Sequence, residues 1–315
     1  MSITFGPVPS RRLGRSLGLD LLPLKTCTYN CVYCQLGPTE RTTIRRRRFQ
    51  DVETVIAAIR AALNRDSGVD VLTFSGSGEP TLHVRLDQFI RAIKASFTLP
   101  VAVLTNGALL AQPGVREELS EADIVLPSMD AWTDEMYNHI NRPHPALKLQ
   151  SVLEGLEVFR GSFRGQLRLE IFFVPGINDG DRDLPGLLHW VERIQPDTVQ
   201  INTAVRPPAE TWVRPLSHRR LEEIRSALGS RAEIIVPFRG ESEMIRLEGL
   251  ERQVEEMVNR RPVAPEDLMD ALGMGQKDAV AMLQRLSRRH GWLSSSHEGR
   301  VYFMISSRGN PEKQS

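Results

Sequence analysis

Cys27-Thr28-Tyr29-Asn30-Cys31-Val32-Tyr33-Cys34 holds all three cysteines of a 315-residue chain. A structural zinc site usually takes four protein ligands, a dithiol redox centre takes two, and a disulfide framework takes an even number in a short secreted chain. Three thiolates on one short loop suit a cubane of four irons: they hold three and leave the fourth open to an outside ligand. An open iron can bind a small chelating molecule and pass it one electron. Two blander readings stay beside this one, a zinc site completed by a distant histidine and an inert buried trio.

Working outward, Leu17–Leu22 reads as a first strand, and Pro23 and Lys25 open the loop that carries the cysteines. A strand–helix rhythm follows. Helices are expected from Asp51 to Arg65 and over Leu86–Ser96, Arg116–Glu121, Ser151–Arg160, Leu184–Ile194 and Leu221–Leu228. Strands are expected at Val69–Ser75, Pro100–Thr105, Ile124–Ser128, Gln166–Val174, Thr198–Asn202 and Glu233–Val236. Repeated units of this size imply an α/β fold with a parallel sheet and right-handed crossovers, with too few units for a closed eight-fold barrel.

The signature changes near Glu241. Ile245, Leu247, Leu250, Val254 and Met257 mark one amphipathic helix; Pro265 starts a second that ends at Gly273; Gln276–His290 makes a third, closed by Gly291. Trp292–Ser295 and Val301–Ile305 then form a hairpin about His297-Glu298-Gly299, and the whole resembles a winged-helix domain. Lys277, Arg285, Arg288 and Arg289 on the third helix are either a nucleic-acid contact or the solvated face of a docking module. The expected division is 1–240, 241–307 and a disordered tail, 308–315. A formal charge of +1 excludes a global polyelectrolyte role. No apolar run approaches the ~20 residues that span a bilayer. The N-terminus lacks a signal-peptide core, so a cytoplasmic protein is expected, where thiols stay reduced.

Ligands in parallel α/β folds sit at the C-terminal ends of strands. Ser75-Gly76-Ser77-Gly78-Glu79-Pro80-Thr81 ends the second strand and fails the GxGxxG pattern at Thr81. With Cys27, Cys31 and Cys34 spaced CxxxCxxC and Tyr33 before the last, it resembles the radical S-adenosylmethionine (SAM) superfamily. The resemblance implies a partial (β/α)6 barrel and a [4Fe–4S] cluster on the three cysteines, whose open iron chelates SAM. Reductive cleavage then gives a 5′-deoxyadenosyl radical that takes hydrogen from a substrate. It also implies SAM contacts at Tyr33, Gly78, Glu79, Pro80, Thr105, Asn106, Asp130, Glu170 and Asn202, and an external flavodoxin or ferredoxin reductant.

Phe5–Ser16, Asn141–Pro145 and Arg206-Pro207-Pro208 read as substrate-side segments. With Arg45–Arg48 they supply guanidinium groups for an anionic substrate, RNA among the candidates. Phe5–Ser16, the cysteine loop, Ser75–Leu82 and Asn141–Pro145 together resemble a prokaryotic group of iron–sulfur oxidoreductases related to wyosine-forming tRNA synthetases, although no cysteine remains here for a second cluster. An iron–sulfur redox-sensing, nucleic-acid-binding regulator is the competing class. No residue is assigned a catalytic proton or hydrogen transfer.

Overall fold

The computed structural model describes residues 2–10, 12–66, 68–235 and 250–305. An antiparallel hairpin comes first, β1 (Thr4–Ser10) and β2 (Gly14–Leu19). Then come α1 (Val52–Arg65), β3 (Val71–Phe74), α2 (Leu86–Ser96), β4 (Val101–Thr105), α3 (Pro113–Leu119) and β5 (Ile124–Pro127). The short α4 (Asp134–Met136) runs into one π-helical turn at Tyr137–Asn141. It is followed by α5 (Leu149–Ser162), β6 (Gln166–Phe172), α6 (Leu184–Ile194), β7 (Thr198–Asn202), α7 (His218–Leu228) and β8 (Ala232–Ile234). All eight strands form one sheet in chain order, and from β2 to β8 every pairing is parallel. The α/β fold with a parallel sheet is therefore as expected.

Strands covered on both faces read as continuous apolar runs, and β3 is buried along its whole length. Leu72 and Phe74 meet the helices, where α2 buries Leu86, Phe89, Ile90 and Ile93 and α5 buries Val152, Leu156 and Phe159. On the other face Val71, Ala102 and Leu126 pack with Leu13, from the turn joining β1 to β2. That turn also reaches β6, because Arg168 Nη1 donates to the Arg12 carbonyl at 2.9 Å and the Arg12 guanidinium pairs with Glu170.

Phe5–Ser16, expected as a substrate-side segment, runs from Phe5 beside Gly18, near the end of β2, through the turn and into the start of β2. Its first part, β1, is an edge strand, which tolerates Pro7 and Pro9 because only one flank must be hydrogen-bonded. Arg15 pairs with Asp66 and with the Gly68 carbonyl, before β3 and so at the N-terminal ends of the parallel strands. Arg11, Val236 and the expected helix residues Ile245 and Leu247 lie outside the described residues, as does the tail 308–315. The first parallel strand starts and ends earlier than expected, since Asp20, Leu21 and Leu22 already belong to the buried loop.

Three aspartates close the ladder where the parallel strands begin. Asp70, Asp123 and Asp197 each precede a strand and donate their backbone N–H to the carbonyl of Arg15, Val101 and Leu167 in the neighbouring strand. Their carboxylates accept the N–H of those same three residues at 2.7–2.8 Å.

Beyond residue 250 stand α8 (Leu250–Val258), α9 (Pro265–Leu272), α10 (Gln276–His290) and a hairpin of β9 (Leu293–His297) and β10 (Arg300–Met304). Val254, Leu268, Leu283 and Phe303 form their core, with Val8 of β1 against it. Of the expected basic face, Arg285 and Arg289 both pair with Glu251 of α8. Among the described residues no helix is long and apolar enough to cross a membrane.

Candidate functional site

Leu19 ends β2, and the chain enters the cysteine loop through Asp20, whose buried carboxylate accepts from Ser77 N at 3.1 Å and Ser77 Oγ at 2.6 Å. Ser77 belongs to the turn after β3, so one carboxylate ties two strand ends together. The backbones then zip: Lys25 N donates to Ser77 O at 2.7 Å and Glu79 N to Thr26 O at 3.0 Å. Gly78 lies flat on this seam, and a Cβ there would sit 2.0 Å from the Thr26 carbonyl oxygen. Gly76, at φ +131°, needs glycine for its backbone conformation.

The far side of the loop is held by the π-helical turn, a local widening common at functional sites. Asn141 O and Ile140 O accept from Asn30 N and Val32 N at 3.0 and 2.9 Å. From the sixth crossover, Glu210 N donates to Val32 O at 2.9 Å. Cys27, Cys31 and Cys34 are partly buried free thiols.

Each sulfur faces its own N–H donor. Asn106 Nδ2 points at Cys27 Sγ (3.6 Å), Asn141 Nδ2 at Cys31 Sγ (3.7 Å) and Lys25 Nζ at Cys34 Sγ (3.2 Å). Burial pushes the Cys27 thiol up to about 12, with Glu79 adding to the shift, and burial likewise pushes Cys31 well above its ordinary value. These groups are therefore protonated until a metal displaces the protons, as thiolate ligation requires. Among the described residues no three His, Cys, Asp or Glu side chains converge as they would about a single ion.

Two buried carboxylates flank the loop. Glu79 accepts from Thr81 N, Thr81 Oγ1, Thr105 Oγ1 and Asn106 N at 2.6–3.1 Å; burial raises its pKa and these donors pull it back. Its carboxylate thus builds the turn and fixes Asn106 over Cys27. Pro80 opens the short 3₁₀ turn that follows. Asp130, pushed up to about 6 by burial, accepts from Tyr33 OH, Asn141 Nδ2 and Phe172 N. Tyr33 stacks on Phe172 with ring centroids 3.8 Å apart. Asn178 Nδ2 donates to Asp130 O and Phe172 O, both at 2.9 Å, so the expected fifth loop joins the same network. Glu170 accepts from Asn202 Nδ2 at 2.9 Å.

All the expected contact residues therefore lie at the C-terminal ends of the strands or on the cysteine loop. The expected guanidinium groups nearby are largely spoken for: Arg142 pairs with Glu210, Arg206 with Asp267 and Arg46 with Glu118. Asn106 Nδ2 also donates to Thr28 Oγ1 at 2.7 Å, and sequence reasoning missed the parts played by Lys25, Thr28 and Asn141. Asn141 fell within a segment assigned to the substrate, and a donor to sulfur leaves no spacing signal of its own.

Residues 21–185 match the family model described as Radical SAM superfamily. The chain belongs to that superfamily. Its cofactors are those of the superfamily, a [4Fe–4S] cluster and S-adenosylmethionine. A UPF0026 protein of Methanocaldococcus jannaschii is 29% identical over 96% of this chain and 96% of its own length. A Brachyspira hyodysenteriae protein named GTPase Obg is 35% identical over 89% of this chain. The radical SAM chain spans only 39% of that relative's length. Among solved structures, a radical SAM methyltransferase from Sphaerobacter thermophilus superposes with a TM-score of 0.55 at 16% identity, covering 70% of this chain and 65% of its own, a likeness of fold.

Proposed function

We propose that this protein is a radical SAM enzyme in which Cys27, Cys31 and Cys34 hold the cluster and the turn Gly78-Glu79-Pro80 holds SAM. The observation that carries the reading is the arrangement of three thiols on one loop, each met by a separate N–H donor. Donors suit sulfur as a charged acceptor, and hydrogen bonds to cluster sulfurs are a recognised tuning element. When bound, the cluster and SAM supply one-electron cleavage of a sulfonium to a carbon radical able to abstract hydrogen.

The chain's own residues orient and shield. Asp20 and Ser77 hold the turn against the loop; in this reading the carbonyls of that turn accept from the ammonium group of SAM. Tyr33, stacked on Phe172 and anchored by Asp130, offers an aromatic wall for an adenine ring. Thr105 and Asn106 are held by Glu79, so they serve the site through position.

The sheet from β2 to β8 reads as a partial barrel, and residues 250–305 as a winged-helix domain against the loop that follows β7. His297 Nε2 meets the Ala204 carbonyl at 2.9 Å and Tyr302 OH the Val205 carbonyl at 3.0 Å. An anionic substrate, RNA among the candidates, and a flavodoxin or ferredoxin reductant complete the reading.

Anaerobic reconstitution with iron and sulfide, then SAM with dithionite, tests it. The wild-type chain is expected to take up iron and sulfide in near-equal amounts and to form 5′-deoxyadenosine; Cys34→Ala forms none. Zinc in place of iron defeats the reading. An intact cluster that binds no SAM assigns the protein to redox sensing instead.

A further inference from the structure

Of the three donors aimed at sulfur, two are neutral amides and one is an ammonium. Lys25 stands in a left-handed backbone conformation at φ +62°, uncommon outside glycine. Its backbone N–H is fixed on Ser77 O at 2.7 Å, which directs the side chain back along the loop. Its ammonium then meets Cys34 Sγ at 3.2 Å and the Gly37 carbonyl. Lys25 forms no ion pair with a carboxylate among the described residues, although most basic groups near the strand ends do.

A half-buried ammonium without a carboxylate partner is costly unless an anion sits beside it. Three thiolates around a four-iron core make a net anion, which becomes one charge more negative on reduction. A fixed positive charge in contact with one ligating sulfur stabilises the reduced form more than the oxidised one. Asn106 and Asn141 supply a dipole to the other two sulfurs, a weaker and more local effect.

We propose that Lys25 is a positioning residue for electron entry, its ammonium against Cys34 Sγ raising the reduction potential of the cluster. The proposal rests on the reading that Cys27, Cys31 and Cys34 hold that cluster. Reduction moves one electron from dithionite, which is oxidised, to the cluster; no bond of the protein breaks and no proton transfers.

The test compares wild type, Lys25→Met and Lys25→Arg, reconstituted anaerobically as full chains without SAM. Iron and sulfide are counted, and each sample is titrated with mediated dithionite while the reduced-cluster resonance is followed by electron paramagnetic resonance. Lys25→Met is expected to reduce at a potential more negative by a roughly tenfold change in equilibrium, about 59 mV for one electron. Lys25→Arg, which keeps the charge, stays close to wild type.

A Lys25→Met chain that loads no iron while Lys25→Arg loads fully also supports the ammonium as counter-charge. A loaded Lys25→Met at the wild-type potential overturns the proposal. So does a Lys25→Arg displaced as far as Lys25→Met, or failing to load along with it, because geometry and not charge would then matter. Wild type that binds no iron and sulfide instead defeats the underlying reading of the cysteines.

Discussion

The two ends of the parallel sheet solve the same problem in opposite ways. Where strands begin, three aspartates find partners within the chain. Asp70, Asp123 and Asp197 clasp both backbone groups of a neighbouring residue, and Lys94 and Arg160 neutralise two of those carboxylates. Where strands end, donors converge on three sulfurs that are acceptors of consequence only as thiolates, and among the described residues Glu79 and Asp130 beside them form no ion pair, while Glu170 meets Arg12 and Asp20 meets Arg260. A charge-balanced rim stabilises the fold. A rim whose donors, held by oxygen acceptors, also face three sulfurs is a binding site. Location alone separates the two, since aspartate, lysine and arginine occur at both ends.

The largest expected effect breaks the strand-ending rim. Gly78→Ala places a methyl group 2.0 Å from Thr26 O and 2.9 Å from Thr26 C, atoms of a backbone that is itself pinned by Glu79 N. Overpacking commonly costs about 1–3 kcal/mol, and here the atom that must yield is backbone next to Cys27. Gly78→Ala should lose most of its iron and sulfide on reconstitution, measured colorimetrically against wild type, and should unfold at lower temperature. Wild-type loading would mean that the seam between turn and loop is not what positions Cys27.

That seam explains how much of the site was legible. CxxxCxxC and Gly78-Glu79-Pro80 are local in sequence, so short motifs could carry the resemblance to the superfamily, and the strand–helix rhythm set them at one end of a sheet. The donors were not legible. Asn106 reaches Cys27 only because Glu79 grips its backbone, and Asn141 reaches Cys31 only because a π-helical turn bends back over the loop. Such contacts depend on the crossing of separate units, which one-dimensional periodicity does not encode. The hairpin of β1 escaped notice for a different reason: Phe5-Gly6-Pro7-Val8-Pro9 lacks the alternation of a strand, and only an edge position allows it.

An intermediate effect is expected at His83, fully buried just after the turn. Its Nε2 accepts from Phe49 N and Gln50 N at 3.2 Å each, and its Nδ1–H donates to the Val84 carbonyl. Burial lowers its pKa, so the fold holds imidazole in its neutral form. The unfolded chain takes up a proton below its ordinary value of about 6.5 while the folded chain does not. This contribution to stability is complete above that pH and is lost as pH falls toward the lowered folded value, by at most about 1.4 kcal/mol per pH unit. Urea unfolding of the metal-free chain at pH 7.5 and 5.5 should show the loss, and His83→Gln should flatten it. Equal slopes in the two proteins would show that other groups carry the acid sensitivity.

The smallest effect belongs to the strand-beginning rim, and it separates the clasp from its counter-ion. Arg160 makes a two-pronged contact with Asp197 at 2.9 and 3.0 Å, but both side chains are partly exposed. Pairs of this kind contribute on the order of 0.2–1 kcal/mol, so Arg160→Ala should move the thermal midpoint little. Asp197 does more: its carboxylate satisfies Leu167 N at 2.8 Å, and removing the acceptor of a half-buried N–H costs about 1–3 kcal/mol. Asp197→Ala should therefore be the more destabilising of the two, measured by thermal unfolding side by side. Both should load iron and sulfide like wild type, because this rim is tied to stability alone. A fall in loading for Arg160→Ala would mean that the two ends are coupled through the strands, and that the division of labour between them does not hold.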